Sequence, residues 1–281
     1  MLTISLLHNH RKLTLFTLAL GLSVFPQTLR AQFGLALSPM RTELNLPAGA
    51  QRNGSLALAN DDLQTNHFRV DIFDLSIDRE AVPQFEKNIP EEKRFSCKDW
   101  VTVNPMEGDV PSKGQMMVRY TFRVPPNAPT LTYHCALGFT AITDPKKQES
   151  MMGIQSLLCL ASTFYITVGN PVPTGEVRKI DIEKFNAKDT AGYRAIISVE
   201  NSGLTNLRGA GKVDVVDEGG EVVQASDFPP VVILPSRTQR LPVVLNKKLA
   251  DGNYTLRARV NLGNGEIQEA VFKFRLPMTQ E

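Results

Sequence analysis

Cysteine is scarce in this chain of 281 residues: Cys97, Cys135 and Cys159 are the only three, with no C-x-x-C pair and no pair of histidines nearby. That is too few for a disulfide-built scaffold and too scattered for a zinc site. Tryptophan occurs once, at Trp100, and aromatics make up 7% of the residues. They fall mostly at alternating core positions, which leaves no row of exposed rings for a carbohydrate-binding sandwich. A marked excess of either charge is missing too, since the net charge is +2 with both signs interspersed. Neither a nucleic-acid footprint nor a polybasic membrane patch fits that balance. There is no G-x-S-x-G, H-E-x-x-H, P-loop or dinucleotide fingerprint. His67 and His134 stand in separate segments, and the acidic turns Asn60–Asp62 and Val216–Glu221 lack the spacing of a calcium loop. An enzyme needs acid, base or nucleophile roles gathered in one place, so no enzymatic activity, cofactor or metal is expected.

The ends and the compartment come next. Arg11 and Lys12 precede an apolar run from Leu13 to Phe25, and a polar stretch then ends at Ala31. That is the layout of a secretory signal peptide over residues 1–31. An uncleaved anchor is the alternative, but the run is short of the ~20 residues a membrane span needs. No transmembrane segment is expected in the mature chain. In an oxidising compartment one disulfide and one free thiol is an open possibility, as is burial of all three cysteines as small apolar residues. Cys135 with Cys159 is the pair to test, because both fall on predicted strands expected to be neighbours.

Helical periodicity is almost absent, whereas short runs with period-two alternation, bounded by Gly, Pro, Asn and Asp, recur throughout. The chain reads as all-β. Seven strands are expected over 35–44, 51–59, 67–76, 100–103, 114–124, 131–142 and 154–168, which suits a two-sheet sandwich of immunoglobulin type. Asp78 to Lys98 reads as a loop or irregular edge. Two prolines and two glycines between Gly169 and Glu176 mark a linker. Further strands follow it, including separate ones over 222–224 and 231–234. The expected organisation is therefore two consecutive immunoglobulin-like β-sandwiches, 32–170 and a smaller one over 171–281. Tyr254, just after Asp251, is placed to bond back to the turn backbone as a tyrosine corner.

One stretch departs from the rest. Gly153 to Pro173 contains no Lys, Arg, Asp, Glu or His, in a chain that is 21% charged. Ser and Thr interrupt it and β-branched and aromatic residues crowd its second half, which argues for a strand over a membrane span. Both of its faces are largely apolar, unlike a strand with one wet side. Either other parts of this chain cover both faces, or the face of Leu157, Cys159, Ala161, Thr163 and Tyr165 is kept for a partner that lacks a strand of its own. Strand addition would supply main-chain bonds for affinity and alternating side chains for specificity.

"LSPMRTELNLPAGAQRNGSLALAN", Leu37 to Asn60, resembles the first two strands of the periplasmic chaperones of chaperone–usher pilus assembly. "WVTVNP", "VPPNAP" and "YHCALGFTAI" resemble later strands of that family, with "SLLCLASTFYITVG" in the place of its donor strand. The resemblance implies a boomerang of two immunoglobulin-like domains and partners that are protein subunits of a pilus or envelope assembly, with room for an outer-membrane usher. It also implies that Arg41, matching a basic residue on the family's first strand, grips the terminal carboxylate of the incoming subunit. Charge-assisted bonds suit that task. The Lys expected on the donor strand is missing, since Gly153 to Val168 carries no basic residue. Arg178 and Lys179 are candidates to replace it, and a plain ion pair of Arg41 with Glu43 is the alternative use of Arg41. The resulting expectation is a periplasmic, chaperone-like binding protein; a structural or adhesive envelope sandwich is the other reading.

Overall fold

A computed structural model describes residues 34–142, 158–187, 190–245, 249–263 and 265–277. The expected signal peptide and Leu157 lie outside the described residues. Among those described, the chain forms seventeen strands and two short 3-10 turns, with no α-helix.

Ten strands build the first sandwich. One sheet has the order β1 (Leu35–Ser38), β3 (Gln51–Asn60), β8 (Gln115–Arg123), β6 (Val101–Asn104). The other runs β2 (Arg41–Leu46), β10 (Cys159–Val168), β9 (Thr132–Ile142), β4 (Asn66–Ile77), β5 (Pro83–Glu86), with β7 (Glu107–Val110) also on β4. Alternation sets which side chains meet. On β3 Leu56, Leu58 and Asn60 point inward, and on β8 Val118, Tyr120 and Phe122 do the same. Phe68, Val70, Leu137, Phe139, Phe164 and Ile166 answer from the facing sheet. Phe164 sits at the centre, with ring centroids 4.9 Å from Tyr120 and 5.1 Å from Phe122. Truncating a buried ring of this kind to Ala costs ~3–5 kcal/mol.

The expected strand 35–44 is two strands on two different sheets. Pro39 has no N–H to continue the ladder; before it β1 pairs with β3, and after it β2 pairs in parallel with β10. The same division occurs around Pro105, with β6 on β8 and β7 on β4. The stretch read as a loop or irregular edge, Asp78 to Lys98, holds an edge strand, β5, folded back on β4, and a 3-10 turn at Pro90–Glu92.

The disulfide joins Cys97 to Cys135, with Cα atoms 5.3 Å apart, and Cys159 is free and exposed. This corrects the pairing of Cys135 with Cys159 put forward from the sequence. The two strands are neighbours as expected, but the register sets Cys135 against Phe164 and Cys159 against Thr140. Five residues of offset separate the thiols, far more than the geometry of a disulfide tolerates.

The second sandwich packs a sheet of β11 (Gly175–Ala187), β12 (Thr190–Asn201) and β15 (Arg237–Val244) on one of β14 (Val222–Ile233), β13 (Leu207–Val216), β16 (Gly252–Asn261) and β17 (Ile267–Leu276). Its core is mostly aliphatic, built on residues such as Ile197, Val213, Val215, Leu241 and Leu256, with Phe228, Tyr254 and Phe274 among them. β14 is one strand where the sequence pattern suggests two. Pro229 and Pro230 interrupt its alternation, but β14 lies at the sheet edge, where a missing N–H is tolerated, and the ladder slips between Gly209 and Gly211.

Both sandwiches use the same two local devices. Tyr254 donates to the Ala250 carbonyl at 2.8 Å, as expected, and Tyr133 donates to Pro129 at 3.1 Å. Asn60 closes β3 by donating to the carbonyls of Gln64 and Val110 while its oxygen accepts from Asp62 N–H. Asn201 closes β12 with donation to Thr205 and Ile233 and acceptance from Gly203 N–H.

Candidate partner-binding site

β10 has two halves with different surroundings. Thr163 to Val168 lies between β9 and β2, in register with Arg41 to Leu46. Cys159 to Ser162 pairs with β9 alone, from Cys159 opposite Thr140 to Ser162 opposite Leu137. The change comes where β2 arrives: Thr163 N–H donates to Met40 O at 2.9 Å, and the Ser162 hydroxyl donates to Pro39 O at 2.8 Å. Backbone groups of alternate residues turn to the same neighbour. The N–H and C=O of Ala161 and Cys159 therefore face the same side as those of Thr163. Among the described residues no strand meets them there.

Alternation also sorts the side chains. Leu160, Phe164, Ile166 and Val168 enter the core of the first sandwich. On the other face Cys159 is exposed, Ala161 and Thr163 are half-buried, and Tyr165 is 6% exposed. Tyr165 packs with Leu75 and with Leu234 of the second sandwich, so its ring is covered by this chain itself. Phe73, not foreseen from the sequence, lies beside the open half of β10. Gly138 stands opposite Ala161, and a Cβ there would fall 2.4 Å from the Phe73 ring and 3.2 Å from Cys159 Sγ. Glycine at 138 is what lets the half-buried ring lie against the strand.

Arg41 is exposed at the end of that open half. Its Nη2 lies 2.5 Å from Glu43 Oε1, and its guanidinium sits 5.5 Å from the centre of the Tyr165 ring. A second guanidinium, that of Arg208 on β13, reaches the same Glu43 oxygen. Arg178 and Lys179, the candidates to replace the missing donor-strand cation, are instead paired with Glu176 and Glu200, and with Asp181. Glu43 and Arg208 line a polar cleft between the sandwiches with Thr132, Thr167, Thr205 and Asn206. Thr132 ties the cleft together, its hydroxyl 2.7 Å from that of Thr205 and its N–H donating to Leu204 O.

Elsewhere the seam between the sandwiches is ionic and buried. Glu92 is 1% exposed and lies between His134 and Arg237. Burial pushes its carboxyl pKa up, but the hydrogen bond and charge of His134, with Arg237 behind them, outweigh this and hold it below the ordinary range. Asp74, also buried, is held below its ordinary value against desolvation by Lys98, Ser96 and Ile89 N–H. Gln239 donates to the carbonyls of Asp78 and Arg79, and Arg240 pairs with Glu80. The stretch from Asp78 to Lys98 is thus a clasp for the second sandwich. Nothing in "EKNIPEEKR" distinguishes the buried Glu92 from its solvated neighbours. Among the described residues no three His, Cys, Asp or Glu side chains gather as metal ligands.

No protein-family model matches the chain, and no curated protein matches its sequence. Solved structures similar to the chain include proteins described as chaperones. The class 5 fimbriae chaperone CfaA is 11% identical with a TM-score of 0.44, over 87% of this chain and 100% of that one. The YadV chaperone is 10% identical with a TM-score of 0.43, over 86% and 100%. The CsuC–CsuE chaperone–tip adhesion subunit complex of Acinetobacter baumannii gives 10% and 0.40, over 85% and 97%. At such scores the likeness carries no residue roles, and the function has to be read from the chain's own pairing and contacts.

Proposed function

We propose that this protein is a periplasmic, chaperone-like binding protein, not an enzyme, that lends the open half of β10 to an unfinished partner subunit of a pilus or envelope assembly. The observation that carries this reading is the single-sided pairing of Cys159 to Ser162. A strand edge with free N–H and C=O groups invites a further strand, and proteins ordinarily blunt such edges with charge or proline. Here the edge carries neither. An incoming strand would pair with Cys159 and Ala161, meet the half-buried Phe73 through its side chains, and stop against Met40, where β2 begins. Arg41 stands at that stop and would orient the guest through a carboxylate, while Thr163 and Tyr165 fix the end of the site, Tyr165 as the platform beneath the Arg41 guanidinium.

The test exploits the direction of the Ala161 N–H. Ala161→Pro removes a donor aimed at the guest while leaving the bonds to β9, which come from the even-numbered residues. Partners co-purified with the variant from the periplasm should fall to background while its thermal transition stays close to that of the wild type. Undiminished capture of the same partners would sink the lending mechanism. The other reading, a structural or adhesive envelope sandwich, draws support from the ionic seam that fixes the two sandwiches. It predicts that the protein fails to keep a pilin-like subunit soluble during refolding.

A further inference from the structure

The carboxylate of Glu43 receives two guanidiniums from different sandwiches, Arg41 on β2 and Arg208 on β13. All three side chains are between one third and one half exposed. Two cations facing one oxygen make a receptor for a carboxylate, and at that exposure the internal ligand is only weakly held against exchange. The same cleft contains Asn206, whose Oδ1 is buried and has no hydrogen-bond partner. A buried acceptor left unsatisfied favours a ligand that brings a donor. The occupant that supplies both is the end of a polypeptide, with a terminal carboxylate for the arginines and the last amide N–H for Asn206.

We propose that Glu43 is an internal plug of a carboxylate-terminus site whose second cation is Arg208, and that a guest terminus seats by displacing Glu43. This rests on the chaperone-like reading above and adds a control to it. Without a guest, the plug holds the two arginines together across the cleft and screens their charge from stray anions. With one, the released Glu43 turns to solvent and both arginines close on the new carboxylate. The guest then bridges the two sandwiches.

The test follows the Nε–Hε signals of Arg41 and Arg208 in the folded protein by NMR during titration with N-acetylglycine, with N-acetylglycinamide as control. N-acetylglycine should shift both signals and the amide neither. Removing an internal competitor raises the competent fraction, so Glu43→Gln should tighten N-acetylglycine binding by about fivefold or more. Glu43→Ala should agree, which excludes a new contact from the Gln amide. Arg208→Gln in the Glu43→Gln background should lose the gain. Binding by Glu43→Gln and Glu43→Ala no tighter than by the wild type, or an Arg208 signal that never moves, overturns the plug. Its failure is separable from that of strand lending. If the plug behaves as described while Ala161→Pro still captures its partners, lending falls and the plug stands. If Ala161→Pro abolishes capture but Glu43→Gln binds no tighter, the plug alone falls.

Discussion

Arg237 of the second sandwich donates to Glu92 of the first, with Nη2 2.5 Å and Nε 3.1 Å from the same carboxylate oxygen. The other oxygen of Glu92 lies 3.0 Å from Nε2 of the fully buried His134. One buried charge thus depends on a partner from across the seam. Arg237→Ala should destabilise the protein by about 3 kcal/mol, because it leaves the buried Glu92 carboxylate with His134 alone, whereas Glu92→Gln, which removes the charge and can still bond His134, should cost less. Urea unfolding followed by Trp100 fluorescence, for the first sandwich, checks the order. Equal losses for the two variants would mean that the seam is not held by this pair.

Acid should loosen the same seam. Glu92 and Asp74 both have folded pKa values below their ordinary 4.5 and 3.8. A depressed carboxyl contributes stability that is fully present above the unfolded value and lost as pH falls through the folded one. Stability should therefore be flat near neutrality and decline as pH drops below the ordinary carboxylate range. Glu92→Gln should make that decline shallower. Thermal unfolding measured from pH 7 down to pH 3 decides it, and an unchanged slope in the variant would show that Glu92 does not drive the loss.

Reduction of the disulfide should weaken the first sandwich. The bond between Cys97 and Cys135 spans 38 residues, and closing a loop of that size stabilises by about 4 kcal/mol in the chain-entropy account. Cys97→Ser with Cys135→Ser should lower the unfolding midpoint accordingly. In the oxidised protein iodoacetamide should label one thiol, Cys159. Labelling of Cys97 or Cys135 without reductant would contradict the pairing.

Asn60→Ala and Asn201→Ala should each cost about 2–3 kcal/mol, since each leaves buried carbonyls and an N–H without a partner. Substituting Asp at either position should be no better, because a carboxylate cannot donate to Val110 O or Ile233 O. Chemical denaturation of the four variants measures this. Losses below 0.5 kcal/mol would assign the loop closure to the backbone alone.

Local pattern carried most of the architecture. Runs such as "SLALAN" and "YTLRARV" place apolar residues on one face with period two, and their Gly, Pro and Asn boundaries stop them where strands do stop. Hence the all-β class, the two sandwiches and the corner at Tyr254 were readable, because each depends on neighbours within a few residues. Prolines misled in two directions: Pro39 splits one apparent strand between two sheets, whereas Pro229 and Pro230 leave β14 whole. What a missing N–H does depends on whether the position lies at an edge, and an edge is defined by strands far away in the chain.

The candidate site divides along the same line. Composition alone shows that β10 carries no charge, and alternation alone assigns Cys159, Ala161, Thr163 and Tyr165 to one face. Pairing then separates them, since β2 reaches only as far back as Thr163, leaving Ala161 and Cys159 with a free edge among the described residues while Leu234 closes over Tyr165. Register decided that Cys135 bonds Cys97, and the docking of the sandwiches decided that Arg208 shares Glu43 with Arg41. Side-chain periodicity is a property of consecutive residues, so the sequence by itself determined strands, faces and fold class. Which edge stays open and which charges meet are set by contacts between residues up to 165 positions apart, and only the folded chain brings those together.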